Sequence, residues 1–405
     1  MIKLNKILFH SFFLFSFSLA QEKIVLFNVN VIDGLNSSIQ KDKMIFISNR
    51  KIESIKNSGS IPKGYKGIDL YGMYILPGFI DAHTHISSLN AAKRALESGV
   101  TTARSASTSS FQDVSIREMV KARKLVGPDM LASGIFVTPN LGETILADVR
   151  LANLVNGVNK ENELRKLVQI NADRGVDFIK TRGTERAGLP YTDPRKQTYT
   201  KKQLSIIVNE ATKFNIPVMA HAHGDEGGFA AVKAGVRSIE HGTYLSKNTL
   251  SLMKDKGTYL VPTFTTVVDL TEPGGDYDNP ILFIRGQHML PALEATIKTA
   301  YKMGVKIVTG ADTGYGPNST TRIGMEITNF VDLGMKPLDA IRSATIIGAE
   351  LLMIADKTGT IEVGKEADLI VVTKNPFKNI RTIQDVVFVM SNGEVALERI
   401  PFTKE

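Results

Sequence analysis

Between about residues 74 and 312, short apolar runs alternate with longer amphipathic stretches. The apolar runs end near His85, Arg104, Phe136, Lys180, His221, His241, Phe264 and Asp312. Stretches such as 112–126, 161–174, 201–214 and 290–303 carry apolar residues at helical spacing. Strand followed by helix, repeated eight times over roughly 250 residues, predicts an α/β fold of the closed (β/α)8 TIM barrel type, with its site at the C-terminal strand ends. Outside this region the period changes. Residues 23–71 and 358–397 read as short strands joined by Asn, Gly and Lys turns. The simplest arrangement pairs the two ends of the chain, 21–73 and 357–405, into one small β-sandwich beside a barrel of 74–356.

The first 20 residues follow a different pattern. Lys3 and Lys6 precede an apolar stretch from Ile7 to Ala20, and Ser18 and Ala20 are placed as a cleavage site, which predicts a signal peptide and a secreted or periplasmic product. A membrane span needs ~20 uninterrupted apolar residues, and this stretch is shorter and broken by His10 and several serines. No membrane partner is expected once it is removed. Losing Lys3 and Lys6 lowers the formal charge from +8 to +6. No basic run interleaves with aromatics, so nucleic acid is not an expected partner either. Homo-oligomerisation is left open. The chain has no cysteine, which leaves nitrogen and oxygen donors as its metal-binding chemistry.

Beyond the leader, five of the six remaining histidines fall at three places: His83 with His85, His221 with His223, and His241. Each place closes an apolar run, so the imidazoles project from strand ends at one rim. Residues i and i+2 of an extended strand face one side, which lets His83 and His85 hold one ion between them. Lys180 and Asp312 close two further runs. Read alone, Lys180 fits a strand-end salt bridge and Asp312 a helix cap.

The segments GFIDAHTH, FIKT, VMAHAHG, SIEHG, TGADT and GTIEVGKEADLIVV, in this order, resemble the amidohydrolase superfamily. Within it they are similar to the branch of zinc-dependent Xaa-Pro and Xaa-Arg dipeptidases and imidazolonepropionase-like enzymes. The resemblance runs from about Val25 to Leu397. It implies two divalent ions, zinc foremost, held by His83, His85, a carboxylated Lys180, His221, His241 and Asp312. It also implies hydrolysis of an amide in a small molecule, the metals activating water and Asp312 passing its proton to the leaving nitrogen. Tyr244 is a candidate donor to the tetrahedral oxyanion, although a structural role fits it equally. His223, two residues beyond His221, is assigned to substrate or to a supporting role.

One departure bears on substrate. The peptide-cleaving branch has a TGGH-like stretch after the third strand whose histidine reads the substrate carboxylate. Here the segment is TPNLGE, with Leu141 at that place. Arg104, Arg182, Arg186 and His223 are the candidates to replace that donor. The primary expectation is a dipeptide or N-acyl amino acid as substrate. Lactones, esters or aryl amides, a mononuclear deaminase and a non-catalytic scaffold are the alternatives. A deaminase has no use for Lys180 and requires a catalytic Glu, for which only Glu226 and Glu240 are available.

Overall fold

The computed structural model describes residues 22–400. The predicted signal peptide lies outside them. No helix among the described residues is long and apolar enough to cross a membrane.

The two ends of the chain meet. Strands β1 (Lys23–Val31), β2 (Gln40–Ser48), β3 (Lys51–Asn57) and β4 (Tyr65–Pro77) join β12 (Leu369–Val372), β13 (Val386–Ser391) and β14 (Glu394–Glu398). Their order is β14-β13-β12-β4-β1-β2-β3. One continuous mixed sheet thus stands in place of two separate facing sheets. The cause is β4: its 13 residues are enough to pair in parallel with β1 and, at the far end, antiparallel with β12. Leu26, Ile45 and Ile47 share an apolar cluster with Leu369, Val371 and Phe388, so the sheet curls until its first and last strands bury the same core. The other face of the last strands, including Ile370, Val372 and Val389, packs into the main core.

Between these ends lie two parallel sheets. The first contains β5 (Phe79–Thr84), β6 (Val100–Ser105) and β7 (Asp129–Leu131); the second contains β8 (Ile179–Arg182), β9 (Val218–Ala222), β10 (Ser238–His241) and β11 (Tyr259–Val261). Helices intervene, among them Gln112–Lys121, Glu161–Asp173 and Lys201–Thr212. The expected 290–303 helix is longer, running Pro280–Met303. Both β5 and β6 are buried throughout, as parallel strands covered by helices must be.

Hydrogen bonds join the two sheets at both seams. At one, Val137 N donates to Lys180 O at 2.8 Å and Asp177 N to Ala132 O at 2.8 Å. At the other, residues 306–313 pass between β11 and β5: Val308 N donates to Leu260 O at 2.9 Å, Ala82 N to Thr309 O at 3.1 Å, and Asp312 N to His83 O at 2.8 Å. This stretch, expected as the last strand, makes only isolated bridges, because Asp312 has a φ of +46° that breaks extended geometry. Two other strands stop early. The third ends at Leu131, not near Phe136, and the seventh at Val261, because Thr263 (φ +48°) starts the short helix Phe264–Asp269.

Candidate metal centre

The strand ends deliver their histidines to one cavity of about 440 Å³, lined by His83, His85, Lys180, His221, His223, His241 and Asp312 among others. Two groups of three form there: His83, His85 and Asp312, and His221, His223 and His241. In each, one ligand atom per residue lies within 4.8 Å of the other two. The His83 and His241 rings are 5.0 Å apart between centroids, so the groups are neighbours.

Hydrogen bonds show which atoms are free to bind. His85 Nδ1 lies 2.9 Å from the Ser107 carbonyl, and His83 Nδ1 lies 2.6 Å from Glu240 Oε2. A carbonyl or carboxylate only accepts, so both Nδ1 atoms carry hydrogen, and Nε2 is the atom each ring can offer to a cation. Those Nε2 atoms sit 3.3 Å and 3.2 Å from Asp312 Oδ1. Two ring nitrogens and a carboxylate oxygen thus converge, a donor set that suits a divalent cation. In the second group His221 donates from Nε2 to the Glu185 carbonyl at 2.9 Å, leaving Nδ1 free. His223 and His241 rest their Nδ1 atoms on Thr243 Oγ1 and Thr263 Oγ1 at 2.8 Å and 2.7 Å. Burial holds His221 and His241 well below the usual imidazole range and lowers His223 to about 3, which keeps all three rings neutral, as ligands must be.

Lys180 is buried, with Nζ 3.5 Å from His83 Nε2. Burial lowers its pKa to about 8, so about a tenth of the amine is neutral at pH 7, the form that reacts with carbon dioxide, far more than for an ordinary lysine.

Local backbone explains how β10 contributes. His241 takes a φ of +73°, and Gly242 follows at +67°. A Cβ at 242 would stand 2.7 Å from Leu260 Cδ1, so only glycine allows this reversal. The turn also means that Glu240 and His241, adjacent in sequence, both serve the site. Glu240 is fully buried, grips His83 and pairs with Arg104 Nη2 at 2.9 Å. Burial pushes its carboxyl up, but the charge of Arg104 and the hydrogen bond from His83 outweigh this and bring it down to about 2. Glu240 is therefore an anion that orients His83, a candidate metal ligand.

Several expected roles change. Arg104 does not line the cavity; it is fully buried and bonded to Glu240, Ser238 and the Ala82 carbonyl. Tyr244 does not line it either, and its hydroxyl pairs with His288 Nδ1 at 2.9 Å. Glu226 is exposed. His223 joins a metal-capable triad as well as lining the cavity. Arg182, Arg186 and Leu141 line the cavity as expected. Tyr277, which the sequence did not single out, lines it too, and the Asp312 charge and burial hold its hydroxyl protonated.

Comparison with known proteins follows this geometry. Ochratoxinase from Aspergillus niger is 25% identical over 394 residues, covering 85% of this chain and 80% of that one. Imidazolonepropionase from Psychromonas ingrahamii is 23% identical over 368 residues, covering 82% and 87%. Among solved structures, a Xaa-Pro dipeptidase with methionine bound in its active site superposes with a TM-score of 0.82 at 29% identity, over 92% of this chain and 99% of that one. The family model described as Amidohydrolase family matches residues 74–397. The chain belongs to the amidohydrolase family and is a hydrolase of that family.

Proposed function

We propose that this protein is a secreted binuclear amidohydrolase that cleaves the amide bond of a dipeptide, an N-acyl amino acid or a similar small carboxylate-bearing molecule. The observation that carries the reading is the pair of facing triads, His83/His85/Asp312 and His221/His223/His241, with Lys180 beside them. The two parallel sheets, bonded at both seams, are read as the staves of a (β/α)8 barrel, with 21–73 and 357–405 as a separate sheet domain.

His83, His85 and Asp312 would hold one divalent ion and His221 and His241 the other, zinc suiting these donors. A carboxylated Lys180 would supply the anionic bridge. Such a pair supplies Lewis-acid polarisation of the carbonyl and lowers the pKa of water. The chain's own residues do the rest. Asp312 accepts the proton of the attacking water and returns it to the leaving nitrogen, which would otherwise depart as an unstable anion. Tyr277, kept protonated, replaces Tyr244 as the candidate donor to the oxyanion. Arg182 offers positive charge, and the neutral His223 a hydrogen bond, to a substrate carboxylate, taking the place of the histidine that Leu141 displaces.

The test is a screen of metal-loaded protein against dipeptides, N-acyl amino acids, lactones and neutral aryl amides. Hydrolysis of carboxylate-bearing amides is expected. Faster turnover of every neutral aryl amide, ester or lactone would overturn the substrate assignment.

A further inference from the structure

We propose, resting on the reading of this pocket as a carboxylate-amide hydrolase, that the amine half of its substrate is an acidic amino acid, so that cleavage releases aspartate or glutamate. Two arginines four residues apart carry the argument. Arg182, at the end of β8, stacks its guanidinium over the Phe136 ring at 4.6 Å and buries an Nε that has no hydrogen-bond partner. Arg186 stands exposed at the rim of the same cavity. Among the described residues neither forms an ion pair. The nearby acids are already committed: Glu185 to Lys196 Nζ at 2.9 Å, Asp193 to Arg195 at 3.1 Å, and Asp312 to the histidines.

A largely buried guanidinium without a counter-charge is costly unless a ligand supplies one. In a dipeptide or N-acyl amino acid the α-carboxylate belongs to the amine half, so that half occupies the cationic end. One α-carboxylate satisfies one guanidinium fork. A second carboxylate on the side chain satisfies the other. The remaining wall, with Ser107, Val267 and Leu270, offers a hydroxyl and apolar surface and, apart from Lys180 at the metal centre, no further cation, which suits an uncharged acyl half. The reaction balances as simple hydrolysis: the C–N bond breaks, water oxygen bonds the carbonyl carbon, and a water proton goes to the amine.

The experiment compares kcat/KM of the metal-loaded protein for alanyl-glutamate, alanyl-glutamine and alanyl-leucine, and inhibition by free glutamate against free glutamine. The acidic dipeptide should be preferred over its isosteric amide by about tenfold or more, as loss of a charged hydrogen bond implies. Arg186→Gln should erase most of that ratio, and Arg182→Gln should raise KM for all three. If Arg182→Gln does not fold, the exposed Arg186→Gln and the inhibition ratio decide. Equal or better cleavage of the neutral dipeptides, or a ratio unchanged in Arg186→Gln, overturns the acidic assignment alone. Hydrolysis of none of these three overturns this inference, and hydrolysis of no carboxylate-bearing amide in the wider screen overturns the underlying reading with it.

Discussion

His83 illustrates how much of this site depends on one side chain being held by another. Its Nδ1 is fixed by Glu240, and Glu240 by Arg104, so the Nε2 lone pair faces Asp312 without freedom to turn. Glu240→Gln should therefore weaken metal binding by ~10–100-fold, the usual effect of losing an outer partner of a ligand histidine, which a metal titration measures. Unaltered affinity would show that His83 needs no such hold. Asp312→Asn should lower turnover by at least ~100-fold because a proton carrier is lost, with near wild-type rates pointing to a different base. At this scale the histidines were legible because strand-end imidazoles at i and i+2 announce themselves. Glu240 was not, because adjacent residues of an ordinary strand face opposite sides and nothing in SIEH reveals the φ of +73° at His241. Tyr277 was hidden for a similar reason, since it reaches the cavity from an irregular connection before the Pro280–Met303 helix.

Elements carry the site through the points where they stop being regular. β10 ends in two left-handed residues, β11 gives way to a helix at Thr263, and the stretch 306–313 hydrogen-bonds like a strand without holding strand dihedrals. These departures explain why the alternation of apolar runs located the strands while misplacing their ends: hydrophobic period reports burial, and burial continues beyond regular strand geometry, Phe264 being buried and Phe136 and Asp312 partly so. Gly242→Ala tests the tightest of these points. It forces a Cβ into Leu260 and strains a left-handed backbone, for a cost of about 1–3 kcal/mol. A lower thermal midpoint and weakened metal retention through His241 are expected; an unchanged midpoint would mean that the turn relaxes freely.

Over the whole molecule, the terminal sheet locks the two ends of the chain beside the parallel sheets, and Asp368 sits at that junction. Its carboxylate accepts bonds from Asn392 N and Thr358 Oγ1 at 2.8 Å each, while its carbonyl accepts Gly78 N at 2.8 Å. Burial raises its pKa from 3.8 to about 7. A carboxyl whose pKa rises on folding contributes stability fully below its unfolded value and loses it as pH climbs through the folded one. Urea midpoints of the wild type should thus fall between pH 5 and pH 8 more than those of Asp368→Asn, and parallel slopes would show that Asp368 does not titrate there. The meeting of the chain ends was readable from their shared short-strand pattern. Their union in one sheet was not, since it depends on β4 pairing on both sides, which no local pattern encodes.

The proposed binuclear centre unites these scales, and elemental analysis of protein purified without chelator, joined to anomalous diffraction, tests it most directly. The expected result is about two divalent ions per chain, as in two-metal hydrolases, one at His83/His85/Asp312 and one at the His221/His241 side, with density beyond Lys180 Nζ reaching both. One ion or none per chain, or a bare Lys180 ammonium beside bound metal, would contradict it.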